Sequence, residues 1–225
     1  MNKGMLYAIA AYGLWGLFPL YWKTLQHVPA LEILSHRRVW SLLFVLVLLL
    51  VRRQWGWVKT AVSQPKILLL FTASAVLLSL NWFVYIWGVN AGHIVETSLG
   101  YFINPLASVL MGVFFLGEQL RRGQWAAVGL AAAGVIYLTV RYGALPWIAL
   151  TLATSFALYG LIRKTAPLGS LEGLSLETAL MFLPALGYLV YLETVGTAAF
   201  GHVDGLTTLL LGFAGVATAV PLLLF

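Results

Sequence analysis

Long apolar runs separated by short polar segments dominate this sequence. Between successive Asp, Glu, Lys and Arg residues, the main charge-free stretches are residues 4–22, 39–51, 67–95, 97–117, 123–140, 142–162, 178–192 and 205–225. A helix needs about 20 mostly apolar residues to cross the roughly 30 Å hydrocarbon core of a bilayer. A membrane β-barrel would instead show segments of about ten residues with alternating polarity. The pattern therefore predicts an all-α polytopic membrane protein with eight transmembrane helices.

Composition and charge narrow the class of protein further. Hydrophobic residues make up 61% of the 225 residues and charged residues only 9%, whereas a soluble domain carries about 25% charged residues. The absence of cysteine excludes a disulfide framework and a thiolate metal site. The net charge of +6 does not indicate a nucleic-acid partner, because the basic residues lie at the ends of the spans. With a cytoplasmic N-terminus, nine basic residues lie on the inner side and four on the outer side, as the positive-inside rule expects.

A weak internal repeat predicts how the helices are organised. A shift of 141 residues sets Trp15, Leu17, Leu20, Lys23 and Thr24 against Phe156, Leu158, Leu161, Lys164 and Thr165. Each copy would hold five helices, and an odd number gives the second copy the inverted topology common in transporters. We expect a first repeat over residues 1–140 and a partial second repeat of about three helices over residues 141–225. On this interpretation the chain is a truncated form or a fragment with eight of ten helices.

The second span carries the densest group of charges. Glu32, His36, Arg37 and Arg38 precede an apolar run of thirteen residues, 39–51, which is too short to cross the membrane alone. His36 and Arg37 are therefore predicted to lie within the outer part of this helix. For Arg37, two interpretations stay open, a cation facing an internal cavity and a side chain reaching outward to the headgroups. For Arg38 the outward orientation is favoured.

Polar residues also recur in the third and fourth spans. Glu96, Gly100, Asn104 and Ser108 repeat every four residues, and Asn81 and Tyr85 lie one turn apart. Pro105 removes a helical hydrogen bond and frees a carbonyl near Tyr101. Small residues and Asn also serve as contacts between membrane helices. We expect Gly100 and Ser108 to serve packing, and Glu96 and Asn104 to face a cavity.

The sequence offers little for catalysis. It contains no GxxxxGK[ST] phosphate loop, no GxSxG elbow and no HExxH zinc pair. Its one aspartate, Asp204, is predicted to lie in a loop. The sequence therefore predicts a protein that is not an enzyme and that uses no metal or cofactor.

Several blocks of sequence resemble a known family. They are WGLFPLYWK at 15–23, HRRVW at 36–40, NWFVYIWGVN at 81–90, ETSLGYFINPLASVLMGVFFLGE at 96–118, YGLIRK at 159–164 and LETAL at 176–180. Together they resemble the RarD branch of the EamA-type transporters in the drug/metabolite transporter superfamily. The resemblance implies a permease of the bacterial inner membrane with ten helices in two inverted repeats and both termini inside. The family name is tied to chloramphenicol sensitivity, and the superfamily handles varied small metabolites and drugs.

These observations favour a secondary transporter that moves small amphipathic solutes across the bilayer by alternating access. The predicted substrate-binding residues are His36, Arg37, Asn81, Tyr85, Tyr101 and Asn104. Glu96 is a candidate for proton coupling. The alternative is a non-transporting membrane scaffold or accessory subunit, in which the same polar residues hold helices together.

Overall fold

The structure is a computed structural model that describes residues 3–53 and 55–224. For residues 3–5, 8, 12, 142 and 224 it describes the backbone alone. Phe225, where the last predicted span ends, lies outside the described residues.

The described chain is helical, and its long helices follow the predicted apolar runs. The helices are α1 (Lys3–Thr24), α2 (Ala30–Arg52), α3 (Gly56–Ser63), α4 (Pro65–Asn90), α5 (Ile94–Leu116), α6 (Arg122–Tyr142), α7 (Trp147–Thr165), α8 (Ser170–Val195) and α9 (Gly205–Leu224). Of these, α2, α4, α5, α6, α8 and α9 are long and apolar enough to cross a membrane, judged by length and composition. A multi-pass helical membrane protein is thus confirmed, and the count of eight spans stays a prediction.

Two helices begin well before the apolar run that predicted them. α2 begins at Ala30, so Glu32 and the three residues from His36 to Arg38 lie inside the helix. α8 begins at Ser170, and the amide N–H of Gly169 donates to Glu172 Oε2 across 3.1 Å. Both helices therefore carry charged side chains in their first turns.

Glycines in the left-handed conformation end three of the helices. Gly117 follows α5, Gly143 follows α6 and Gly196 follows α8, with φ angles of 67°, 75° and 73°. Their amide N–H groups bond back to carbonyls of the last helical turns, which is the usual way in which a helix ends at glycine. These turns keep the connections between the helices short.

The chain forms two compact units. The first contains Met1–Ala75 and Ala166–Phe225, and the second contains Val76–Thr165. Within the first unit, α2 packs against α8 and α9, and α1 packs against α9. Within the second, α5 packs against α7 and α6. Each unit thus combines helices from both predicted repeats.

Small residues bring helix backbones close together in both units, as is typical of membrane helices. A Cβ atom at Gly215 of α9 would overlap the backbone of Trp40 and Ser41 in α2. At the same place the Ser41 hydroxyl donates to the Gly215 carbonyl across 3.1 Å. In the second unit, a Cβ at Gly100 of α5 would lie 3.0 Å from the Cβ of Leu152 in α7. The predicted packing role of Gly100 is therefore confirmed.

Candidate functional site

The first half of α2 holds an unusual number of polar side chains away from solvent. The buried polar residues of this segment are Glu32, Ser35, His36, Arg37, Arg38 and Ser41. A charged side chain in the middle of a bilayer costs at least roughly 2.5 to 3.5 kcal/mol on insertion scales. The contacts that compensate this cost therefore indicate the role of each buried polar side chain.

Arg37 lies inside the first unit, where α1, α2 and α9 meet. Only 1% of the residue is exposed, and its Nε donates to Thr218 Oγ1 of α9 across 2.8 Å. Its Cζ lies 4.5 Å from the ring centroid of Trp22 and 5.9 Å from that of Phe18, both on α1. Such distances are typical of cation–π interactions. The outward orientation of Arg37 is therefore wrong, and its role in binding a solute stays a prediction.

The aromatic side of this cluster comes from the end of α1. The rings of Phe18 and Tyr21 each meet Trp22 edge-on, with centroid distances of 5.6 Å and 4.6 Å. The Tyr21 hydroxyl donates to the Leu210 carbonyl of α9. Trp22 is fully buried, and its indole N–H has no hydrogen-bond partner among the residues that the structure describes. Trp22 was not predicted as a site residue.

Arg38 is directed into the protein, toward α4. It is 2% exposed, and its Nη2 donates to the carbonyl of Ala75 across 3.1 Å. The neighbouring hydroxyl of Ser74 donates to the carboxylate of Glu177 on α8. The prediction that Arg38 reaches outward to the headgroups is wrong, because α4 offers a backbone acceptor on that side of α2.

His36 and its neighbours on α2 contact the connection between α8 and α9. The His36 ring stacks on Phe200 with a centroid distance of 4.8 Å, and its Nδ1 accepts from Trp40 Nε1 across 3.3 Å. One turn earlier, Glu32 Oε1 accepts the backbone N–H of Ala199 across 2.7 Å. His36 therefore packs on the Phe200 ring and accepts a hydrogen bond from Trp40.

In the second unit, the predicted residues of α4 contact two different helices. Asn81 Nδ2 donates to the Leu152 carbonyl across 2.8 Å and to Ser155 Oγ across 3.0 Å, both on α7. Tyr85 is buried and meets the Tyr101 ring of α5 edge-on, with centroids 5.6 Å apart. Tyr101 itself is 49% exposed. The structure thus brings Tyr85 and Tyr101 together, and it places Asn81 in a contact between helices.

The remaining predicted residues lie along α5. Glu96 is buried in the first turn, where its Oε1 lies 3.5 Å from Nδ1 of His93. Asn104 is half-buried, and its Oδ1 accepts from the hydroxyl of Ser108 across 3.2 Å. Ser108 is exposed, so its predicted role in helix packing is wrong. Its hydroxyl bonds within its own helix instead.

Among the described residues, no cluster of three or more His, Cys, Asp or Glu side chains is placed to hold a metal ion. The ionic contact between Glu118 and Lys164 joins the ends of α5 and α7 and is partly exposed.

Comparisons with known proteins agree with the resemblance seen in the sequence. The model of the EamA-like transporter family matches residues 2–140. Protein RarD of Streptomyces exfoliatus is 51% identical over 100% of this chain and 71% of its own length. The uncharacterized transporter YojE of Bacillus subtilis is 52% identical and Protein RarD of Escherichia coli is 45% identical, each over 100% of this chain and 76% of the relative. No solved structure matches the chain.

Proposed function

The chain belongs to the EamA-like transporter family, and from this premise we propose that it is a secondary transporter of small amphipathic metabolites or drugs. It acts in the bacterial inner membrane by alternating access, with its N-terminus in the cytoplasm. The observation that carries the proposal is the buried guanidinium of Arg37 between the Thr218 hydroxyl and the Trp22 ring.

The chemistry around Arg37 suits an amphipathic solute. A guanidinium carries five N–H donors in a planar fork and binds carboxylate, phosphate or carbonyl oxygens well. The rings of Trp22 and Phe18 beside it offer apolar faces of the kind that line small-molecule sites. Arg37 would hold the polar end of the solute, and these rings with His36 would contact its apolar part.

The proposal also gives the second unit, taken by itself, a part in contacting the solute. Tyr85 and Tyr101 supply ring faces, and Asn81 and Asn104 supply amide groups that select by hydrogen bonding. The partial exposure of Tyr101 and Asn104 supports this role, since a solute can reach them without prior rearrangement of packed side chains.

The helix pairs support the proposed topology of eight spans out of ten in two inverted repeats. The shift of 141 residues relates α1 to α7, α2 to α8 and α4 to α9, and the second helix of each pair begins within three residues of the expected position. Under this shift, the contact of α1 with α9 corresponds to the contact of α7 with α4, and both contacts are present. In the same way, the contact of α2 with α9 corresponds to the contact of α8 with α4. Such correspondence is the pattern that two related repeats, residues 1–140 and 141–225, would produce.

Glu96 is the proposed coupling carboxylate of this mechanism. Its burial near His93 supports the role, because buried carboxylates in membrane helices commonly take part in proton relays. Uptake that is insensitive to a pH gradient and unchanged in Glu96→Gln would argue against coupling at this residue.

One observation favours the second candidate, a non-transporting scaffold or accessory subunit. Asn81 uses its amide N–H groups on α7, in the manner of a polar contact between membrane helices. If all the predicted polar residues only hold helices together, replacing them will lower the stability of the fold. The parent protein itself will then show no uptake.

Uptake by the purified full chain in liposomes distinguishes the two candidates. The probes are radiolabelled chloramphenicol, phenylalanine and uridine, compared with protein-free liposomes. We expect uptake of at least one probe by the parent protein. The uptake rate should fall about tenfold or more in Arg37→Ala, the scale of losing a buried hydrogen bond to a charged group. The uptake rate of Arg52→Ala should change little. Arg52 is the matched control, because it lies exposed at the other end of α2. Absence of uptake for every probe would favour the scaffold.

A further inference from the structure

A cavity lies where three helices of the first unit reach their ends. It has a volume of about 330 Å³ and is bordered by the last turn of α2, the start of α8 and the end of α9. Because these helices are long and apolar enough to cross a membrane, we expect their ends to lie at the level of the lipid headgroups. It is here called the α2–α8 cavity, and its lining includes Leu48, Arg52, Ser170, Leu171, Glu172 and Leu223.

Three leucines supply the apolar part of this lining. Leu171 is buried, and Leu48 and Leu223 are half-buried. Leu48 lies one helical turn before Arg52, so apolar surface and positive charge are neighbours on the same face of α2. Ligand sites commonly combine an apolar lining with a few polar groups. An amphipathic ligand therefore suits this cavity.

Two opposite charges line the cavity without pairing with each other. The Arg52 side chain is exposed, and it forms no hydrogen bond or ion pair with any described residue. Glu172 is half-buried, and its Oε2 accepts the Gly169 N–H across 3.1 Å. Its Oε1 makes no hydrogen bond within the described part of the chain. A cation and a carboxylate oxygen are thus both available to a ligand in one cavity.

A phospholipid with an ethanolamine headgroup matches this pair of charges. Its phosphate is negative, and guanidinium groups bind phosphate oxygens with paired N–H donors. Its primary ammonium is positive and donates hydrogen bonds that a carboxylate accepts. A choline headgroup has no N–H to donate, and a glycerol headgroup has no cation. Both should therefore fit the cavity less well.

We propose that the α2–α8 cavity binds the headgroup of phosphatidylethanolamine. Arg52 binds the phosphate, Glu172 accepts a hydrogen bond from the ammonium, and the three leucines contact the first carbons of the acyl chains. The cavity lies at the opposite end of α2 from Arg37, so it takes no part in holding the solute. The proposal is therefore independent of the proposed transport function.

Thermal unfolding of the full chain in detergent tests the proposal without any solute. Short-chain phosphatidylethanolamine is titrated into the micelles, and the rise in melting temperature gives an apparent dissociation constant, because a ligand of the folded state stabilises it. Phosphatidylcholine and phosphatidylglycerol with the same acyl chains are compared. Glycerophosphoethanolamine carries the same headgroup without acyl chains, so it separates a lipid site from a site for a soluble phosphate ester.

We expect phosphatidylethanolamine to bind about three- to tenfold more tightly than the other two lipids. This range spans the scales of an exposed ion pair and of a hydrogen bond to a charged group. Glycerophosphoethanolamine should give no measurable rise in melting temperature. Equal affinity for the three lipids would overturn the proposal, and so would binding of the soluble headgroup as tight as that of the lipid.

Two variants assign the two charges separately. Arg52→Gln should weaken the binding of all three lipids by about three- to tenfold, because all of them carry the phosphate. Glu172→Gln keeps an oxygen that can accept the Gly169 N–H, so the start of α8 is preserved. It should abolish the preference for ethanolamine over choline and leave the affinity for phosphatidylcholine nearly unchanged.

Lys59→Gln is the matched control for the change in charge. Lys59 is an exposed cation on α3 and does not line the cavity, so this variant should bind the lipids as the parent does. Parent-like affinity in Arg52→Gln would contradict the role of the guanidinium. A preference for ethanolamine that persists in Glu172→Gln would contradict the role of the carboxylate.

Discussion

The Cζ atom of Arg37 lies 4.5 Å from the centroid of the Trp22 ring, so a cation on α2 rests on an aromatic face from α1. The same guanidinium bonds to Thr218 on α9. Three helices of one unit are therefore joined at a single side chain. Replacing any of these partners should change both the stability of the unit and the position of the charge.

Replacement of Trp22 separates the ring contact from simple packing. Trp22→Leu should lower the free energy of unfolding by about 2 to 4 kcal/mol, because it removes a fully buried ring and its attraction to Arg37. Trp22→Phe keeps an aromatic face and should cost less. Thermal unfolding in detergent measures both, with Trp125→Leu as control, since Trp125 is 46% exposed. Equal losses at Trp22 and Trp125 would contradict the expectation.

Gly215 tests the close approach of α2 and α9. A Cβ at this position would overlap the backbone of Trp40 and Ser41, and backbone cannot move aside as a flexible side chain can. Gly215→Ala should therefore destabilise the chain by about 1 to 3 kcal/mol. Gly212→Ala lies one turn earlier on α9 with open space around it, so it should be neutral or slightly stabilising. The difference in melting temperature between the two variants is the measurement.

The contact between Asn81 and Ser155 is expected to contribute a small but measurable energy. A double-mutant cycle with Asn81→Ala and Ser155→Ala isolates this pair, whose atoms are 3.0 Å apart. Interhelical hydrogen bonds in membrane proteins average about 0.6 kcal/mol and reach about 1.7 kcal/mol. A coupling in this range is expected from denaturant unfolding in mixed micelles. Uptake that survives in Asn81→Ala would show that the residue serves packing and does not bind the solute.

Asp204 provides a pH-dependent prediction outside the spans. The side-chain hydrogen bond from Thr207 and the backbone N–H of Thr207 hold the pKa of Asp204 below its ordinary value. A lowered pKa in the folded state means that this carboxylate stabilises the fold above its unfolded pKa, and that the contribution disappears as the pH falls through the folded pKa.

Asp204 is also the one aspartate of the sequence, so labelling of aspartate with carbon-13 gives a single carboxyl signal to titrate. Thr207→Ala should move the midpoint upward, toward the ordinary value. Thr207→Ser keeps the hydroxyl and should leave the midpoint nearly unchanged. A midpoint that is the same in all three proteins would show that Thr207 does not set the pKa.

The apolar runs predicted the positions of the long helices because membrane helices are defined by hydrophobic length. The same signal failed at the start of α2, where the apolar run begins at residue 39 and the helix begins at Ala30. Charged residues interrupt the run in the sequence, but the fold supplies partners for them. The amide of Ala199 binds Glu32, and the carbonyl of Ala75 binds Arg38. Hydropathy contains no information on such partners.

The candidate site was predicted only in part for a similar reason. Arg37 and His36 stand out in the sequence because charge is rare in a span. Trp22 and Thr218 do not stand out, because tryptophan and threonine are common in membrane helices and their role comes from the neighbour that they meet. Glu177 was the missed residue with a usable signal, since it precedes an apolar run in the way that Arg38 does. Its buried contact with Ser74 shows that it belongs to the helix interior.

The distance along the chain between α2 and its partners has a consequence for biosynthesis. Glu32 bonds to a residue 167 positions later, and Arg37 bonds to one 181 positions later. When α2 leaves the ribosome, those partners have not been made, and its charged turns are costly in lipid. These contacts of α2 can therefore be completed only after α9 has been synthesised. The first unit is completed late in translation, although its first helices are the first to emerge.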